Sequence, residues 1–186
     1  MTHRAGRLWI ITGASGVGKT RFCSNLAIFA KQQELFVKGL ICPAVFHGGR
    51  KKSIQVIDLE TGEKANLAKA RNASSDGSVT DRWDFDEAVM LWSNRRLTSL
   101  RNCDLAIIDE LGPLEFNLGQ GWQQGLEFLD TGDFENAVVV IRPDLVKTAQ
   151  NRWPKVKVIE IPAMLNAVEE KGIQQKILNE ILNKTP

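Results

Sequence analysis

Leu8-Trp9-Ile10-Ile11-Thr12-Gly13-Ala14-Ser15-Gly16-Val17-Gly18-Lys19-Thr20 is the stretch on which the fold turns. Its first half is a short apolar run that ends at a glycine, the pattern of a fully buried parallel strand. From about Gly18 the pattern becomes helical, with Phe22, Leu26 and Phe29 or Ala30 on one face. Between strand and helix, Gly13-Ala14-Ser15-Gly16-Val17-Gly18-Lys19-Thr20 matches G-x-x-x-x-G-K-[ST], in the context that motif requires. Glycines let consecutive backbone N–H groups turn inward around a phosphate with no Cβ in the way. The helix N-terminus adds its positive dipole end. Lys19 then reaches the β- and γ-phosphates, and the Thr20 hydroxyl ligates Mg2+.

Further along, Leu105-Ala106-Ile107-Ile108 reads as a second buried strand, ending at Asp109-Glu110. Open α/β sheets bind ligands at that end of their strands. Asp109 is the candidate to hold Mg2+, directly or through water, and Glu110 the candidate base for an attacking water. Ala137 to Ile141 is a third such strand, and Arg142 follows it on the same sheet edge. Arg142 is therefore a candidate arginine finger, as are Arg50, Lys51 and Lys52 in an expected hairpin turn. Val156 to Ile161 completes the parallel set, and Ile173, Ile177 and Ile181 mark a C-terminal helix flanked by Leu178 and Leu182.

The middle of the chain reads differently. Phe36 to Phe46 and Ser53 to Leu59 are β-rich and predict an antiparallel hairpin around His47-Gly48-Gly49-Arg50-Lys51-Lys52. Glu60-Thr61-Gly62-Glu63 is a second turn signal, and Lys64 to Leu67 a short third strand. Asn72 to Thr80 reads as a loop. Asp84, with Glu87 three residues on, predicts a capped helix with Phe85, Ala88, Val89, Trp92 and Leu100 on its apolar face. Gly112 to Gly121 is glycine-rich, Trp122 to Leu129 is a short helix, and Asp144 caps another that runs to about Arg152. The alternation predicts an α/β fold. Specifically, it is a P-loop NTPase three-layer α/β/α arrangement, its mainly parallel sheet extended by antiparallel strands, in one domain over residues 1–186.

Composition bounds the rest. With 186 residues, 43% hydrophobic and 25% charged, the chain has the makeup of an ordinary soluble domain. A net charge of +2 argues against general attraction to nucleic acid or membrane and leaves room for a local basic patch. Cys23, Cys42 and Cys103 are widely spaced and predict buried thiols of a reducing cytoplasm. The polar start, Met1 to Arg7, and the short run after it are unlike a signal peptide, and no stretch approaches the ~18 apolar residues of a membrane span. His3 and His47 form no metal pattern; the five tryptophans are core candidates, one of them a candidate to stack on a base. The sequence lacks N-K-x-D and L-S-G-G-Q signatures, which argues against a Ras-like GTPase and an ABC ATPase, and it is short for a AAA+ module with its lid.

Beyond the phosphate loop, several segments resemble the THEP-type nucleoside triphosphatases, the family that includes the cancer-related nucleoside triphosphatase. They are Gly39-Leu40-Ile41-Cys42-Pro43, Ile57-Asp58-Leu59-Glu60-Thr61-Gly62-Glu63, Asp109-Glu110-Leu111-Gly112-Pro113-Leu114-Glu115 and Gly121-Trp122, and the Asp109 to Glu115 run is the specific one. The resemblance implies a P-loop α/β fold, Mg2+-dependent hydrolysis of nucleoside triphosphates such as ATP and GTP with loose base preference, and a supporting part for Glu115. The turn before the second hairpin strand departs from the family's arginine-rich pattern, being Gly49-Arg50-Lys51-Lys52-Ser53 here. A cytoplasmic triphosphatase is the leading expectation. The alternatives are a P-loop kinase that passes the γ-phosphate to a nucleotide or a nucleic-acid 5′ end bound by Arg71, Arg82, Arg95, Arg96 and Arg101, and a nucleotide-gated switch using the 72–80 and 112–121 loops. No membrane partner is expected, nucleic acid is a possible partner but not an indicated one, and the oligomeric state is not legible.

Overall fold

The computed structural model describes residues 6–71 and 83–183, so the loop expected over 72–80, Arg82 and His3 lie outside the described residues. The elements are β1 (Arg7–Thr12), α1 (Lys19–Gln32), β2 (Val37–Ile41), β3 (Ala44–His47), β4 (Arg50–Asp58), β5 (Lys64–Ala70), β6 (Trp83–Phe85) and α2 (Glu87–Thr98). Then come β7 (Leu105–Leu111), α3 (Pro113–Leu118), α4 (Gln123–Thr131), β8 (Asn136–Ile141), a 3-10 turn (Pro143–Leu145), α5 (Val146–Arg152), β9 (Lys157–Glu160) and α6 (Ala167–Leu182). The sheet order is β6-β5-β4-β2-β7-β8-β1-β9, with β3 paired to β4. The β2-β7-β8-β1-β9 part is parallel; β3 to β6 are joined to it and to each other in antiparallel pairs.

Strand alternation divides the core into two layers. On one face Trp9, Ile11, Leu105, Ile107, Val138 and Val140 meet Phe22 and Leu26 of α1 and Ile177, Leu178 and Ile181 of α6. On the other, Ile10, Ala106, Ile108, Val139 and Ile141 meet Leu97 of α2, Leu126 and Leu129 of α4 and Ala149 of α5. Helices thus cover both faces of the parallel strands, as the sequence predicts for a three-layer α/β/α fold. No helix among the described residues is long and apolar enough to cross a membrane.

Several local expectations change. The Phe36 to Phe46 stretch is two strands, because Pro43 has no N–H to continue a ladder and the chain bends there between β2 and β3. Gly48 and Gly49, at φ 57° and 73°, make a two-residue hairpin turn, so Arg50, Lys51 and Lys52 lie in β4 rather than in the turn. Helix α2 is capped by Asp86, whose carboxylate accepts from Val89 N–H at 3.0 Å, not by Asp84; residues 83–85 pair with β5 instead. The glycine-rich 112–121 segment holds helix α3, started by Pro113, and Asp144 lies within the 3-10 turn rather than capping α5. The three thiols are free; Cys23 is buried, whereas Cys42 and Cys103 are half-buried. Trp9, Trp122 and Trp153 are core residues, and Trp83 and Trp92 are only half-buried.

Candidate active site

Since β7, β8 and β1 run parallel and side by side, their carboxyl ends share one edge of the sheet. The loop Gly13 to Gly18 follows β1, Arg142 follows β8, and Asp109-Glu110 closes β7. Sheet order alone therefore sets Arg142 between the phosphate loop and the two acids. Within the loop Gly13, Gly16 and Gly18 have φ of 142°, 83° and 100°, a region that a Cβ strains. A Cβ on Gly13 would also stand 2.5 Å from the Ile161 carbonyl, so the end of β9 braces the loop from outside. Lys19 opens α1 and is buried; its ammonium donates to the carbonyls of Gly13 at 2.8 Å and Ala14 at 3.0 Å, lying along the inside of the loop.

The two-residue period of β7 aims its acids. Leu105 and Ile107 pack toward α1, and Asp109 continues that face, toward the first turn of α1. Asp109 is 2% exposed; its carboxylate accepts from the Cys42 N–H at 3.0 Å and from the Thr20 hydroxyl. Burial raises its pKa, against those two hydrogen bonds and the charges of Lys19 and Lys51. The ladder then slips: Ile108 pairs Val139 but Leu111 pairs Ile141, which leaves an extra residue in β7, and the Asp109–Glu110 peptide is cis. Bulges of this kind re-aim side chains at sheet edges. Glu110 reaches Arg142, with 3.4 Å between Oε1 and Nε. Burial and then Asp109 raise the Glu110 pKa, while Lys19, Arg142 and Lys51 oppose them.

The hairpin cations Arg50, Lys51 and Lys52 are all exposed strand residues, as is His47. Lys51 is set apart by its neighbours. Its ammonium sits 4.7 Å from the centre of the Trp83 ring, and the charges of Glu110, Asp109 and Arg142 act on it, although it makes no ion pair among the described residues. Burial lowers its pKa, with Glu110 the largest opposing influence. Glu115 is buried behind the site: Oε2 accepts from Gly112 N–H at 2.7 Å and Oε1 from Trp122 N–H at 2.8 Å. It fastens the chain just after Glu110 to the start of α4. The arginines considered for an acceptor do not converge. Arg71 pairs Asp84 at 3.8 Å, Arg96 pairs Asp58 at 3.1 Å and Glu63 at 2.6 Å, Arg101 pairs Asp133 at 3.8 Å, and Arg95 is exposed.

Sequence reasoning missed Trp83 as the seat of Lys51 and the Cys42 N–H as a partner of Asp109. The first had a weak signal, an aromatic residue just before a helix cap; the second is a backbone group and had none. As a donor set, the Thr20 hydroxyl and the Asp109 carboxylate are hard oxygens suited to Mg2+. Among the described residues no group of three or more His, Cys, Asp and Glu forms a metal cage. Mg2+ bound by one or two protein oxygens together with substrate phosphates needs no such cage. The fit is supported by Asp109 itself, a buried carboxylate whose charge lacks a bonded cation among the described residues.

The family model described as NTPase matches residues 9–178. The nucleoside-triphosphatase THEP1 of Methanopyrus kandleri is 28% identical over 106 residues, 57% of this chain and 58% of that protein, so this chain's match spans less than two thirds of that relative. The THEP1 of Methanocaldococcus jannaschii is 28% identical over 185 residues, 94% of each chain. The solution structure of a human cancer-related nucleoside triphosphatase superposes with a TM-score of 0.70 at 21% identity, covering 97% of this chain and 100% of the other, a likeness of fold. Because the family match runs unbroken from β1 through the phosphate loop, Asp109-Glu110 and Arg142 into α6, this chain belongs to the NTPase family.

Proposed function

We infer that the protein is a Mg2+-dependent nucleoside-triphosphatase that converts a nucleoside triphosphate to the diphosphate and phosphate, with loose base preference. The observation that carries this is the contact between Asp109, at the end of β7, and Thr20, in the first turn after the phosphate loop, with Glu110 beside them. The names of the THEP1 relatives point the same way.

The loop N–H groups and Lys19 hold the β- and γ-phosphates. Thr20 and Asp109 hold Mg2+, which when bound neutralises charge on the phosphate oxygens. Glu110 takes a proton from the attacking water as that oxygen bonds to the γ-phosphorus, and the bond from γ-phosphorus to the bridging oxygen breaks toward the diphosphate. Arg142 lies against Glu110 and favours its ionised form. Base preference is loose on this reading because the sequence has no base-reading motif and phosphate contacts carry no base information.

Product analysis with γ-labelled triphosphate tests it. Label should appear as free phosphate, without an added acceptor. Glu110→Gln should keep triphosphate binding and lose about two to four orders of magnitude in turnover. Competition among ATP, GTP, CTP and UTP should show preferences below roughly a hundredfold, about 2.7 kcal/mol. Label transferred to an acceptor, or turnover only after a partner protein is added, would refute it in favour of a kinase or a switch.

A further inference from the structure

Strand registers make the antiparallel half of the sheet overhang the candidate site. Leu40 pairs both Ile108 of β7 and Asp58 of β4, and Ile41 pairs Ile57, so Asp109 and Ile57 stand at about one level along the strands. Strand β4 is antiparallel to β2, so its residues before Ile57 run on past the carboxyl edge. Pro43 O accepts from Gln55 N–H at 3.0 Å, and β3, the far end of β5 and β6 accompany β4 outward as a wing.

On a flat sheet Lys51 would stand six residues, or ~20 Å, beyond the level of Asp109. It does not. Register shifts interrupt both neighbouring ladders, between Val45 and Phe46 and between Ile54 and Gln55. Such bulges bend and twist a strand. Across this bent wing the carboxylates of Glu110 and Asp109 still act on the Lys51 ammonium.

Three other cations near the candidate site already have partners. Lys19 lies on the loop carbonyls, Arg142 faces Glu110, and Arg21 pairs Glu170 of α6 at 3.0 Å. Lys51 forms no ion pair among the described residues; its one close partner is the face of Trp83. A ring face attracts an ammonium and fixes its stem, yet leaves its three N–H donors for another acceptor. Trp83 is contributed by β6, two strands away, so the seat exists only once the wing has assembled.

We propose that Lys51, seated on Trp83, is the cation that meets the γ-phosphoryl group from the side opposite Lys19 and stabilises the charge that develops on its oxygens as hydrolysis proceeds. This rests on the triphosphatase reading. The chain then carries its own counterpart of an arginine finger, delivered by a hairpin. Trp83 is a positioning residue, acting through the lysine.

The test compares Lys51→Ala, Lys51→Arg and Trp83→Leu with wild type. It measures phosphate release, Kd for Mg2+-nucleoside diphosphate with and without aluminium fluoride as a phosphoryl transition-state mimic, and thermal melting. Lys51→Ala should lower kcat on the order of a thousandfold, the lower end for a finger cation. It should leave diphosphate affinity and melting within about twofold and a few degrees, and abolish the extra affinity conferred by aluminium fluoride. Lys51→Arg should recover most of kcat, and Trp83→Leu should lower kcat less than Lys51→Ala. Wild-type turnover by Lys51→Ala overturns the proposal, as does a parallel loss of kcat and diphosphate affinity that Lys51→Arg fails to restore. Either result leaves the triphosphatase reading standing, since that is judged on wild-type phosphate release and Glu110→Gln.

Discussion

Glu115→Gln separates a buried brace from a second catalytic acid. The carboxylate spends one oxygen on the Gly112 N–H and the other on the Trp122 N–H. A glutamine amide has one oxygen, so one of the two N–H groups must face an NH2 that cannot accept. An orphaned buried donor costs about 1–3 kcal/mol, and the surviving bond weakens as it loses its charge. Against this, burial already raises the Glu115 pKa, so removing the charge relieves part of a desolvation cost. The balance is a loss of about 2 kcal/mol. In a chain of 186 residues that is roughly 4–8 °C in Tm. Relief by rotation is blocked at Gly121, where even a single Cβ would stand 2.0 Å from Oε1. Thermal and urea unfolding at pH 7 measure the loss, and phosphate release on the same sample measures function. Turnover should fall less than about tenfold, well short of the range for removal of a general base, because Glu115 acts on the chain beyond Glu110 and not on water. An unchanged Tm with a hundredfold loss of turnover would refute this and make Glu115 a catalytic acid.

Other substitutions probe the remaining parts. Lys19→Ala should remove most triphosphate affinity or turnover, measured by calorimetry and phosphate release; normal values would refute the phosphate-loop reading. Arg142→Ala should lower kcat by about one to two orders of magnitude with little change in diphosphate Kd, because it loosens Glu110 rather than removing it; equal activity would return Arg142 to a surface role. Asp130→Asn tests a tie between α4 and α5. Burial pushes the Asp130 pKa up, but the Arg152 fork, at 2.7 and 2.5 Å, and the Trp153 N–H outweigh it and hold the pKa below the ordinary value. Its contribution is therefore present at neutral pH and lost as pH falls through the folded-state pKa. The variant should be less stable by at most about 1 kcal/mol at pH 7, with the gap closing as pH falls below the ordinary aspartate range in urea melts; a gap that widened in acid would show the sign to be wrong.

What the sequence displayed and what it hid follow from the range of the interactions involved. Strands β1, β7 and β8 were legible because a strand buried on both faces needs an unbroken apolar run, and Leu8–Ile11, Leu105–Ile108 and Ala137–Ile141 supply one. The phosphate loop was legible because its glycine φ values, lysine and threonine lie within eight residues. The order β7-β8-β1 then does the rest, since any residues closing those strands share an edge, and Asp109, Glu110 and Arg142 close them. The wing obeyed no such local rule. Asp84 with Glu87 and Asp86 with Val89 are competing caps two residues apart, and the choice falls to β5, which takes Trp83, Asp84 and Phe85 into its ladder. Lys51 looked like one of three equivalent cations because its distinction rests on bulges in two ladders and on a tryptophan 32 positions later in the chain. Register is a property of pairs of strands, and a slip of one residue sends a side chain to the opposite face. The two bulges therefore bear on function as much as the lysine does. On the role proposed for Lys51, moving the Val45/Phe46 irregularity by one residue would change the face of β4 that carries it while leaving the composition, the net charge and every motif of the chain unchanged.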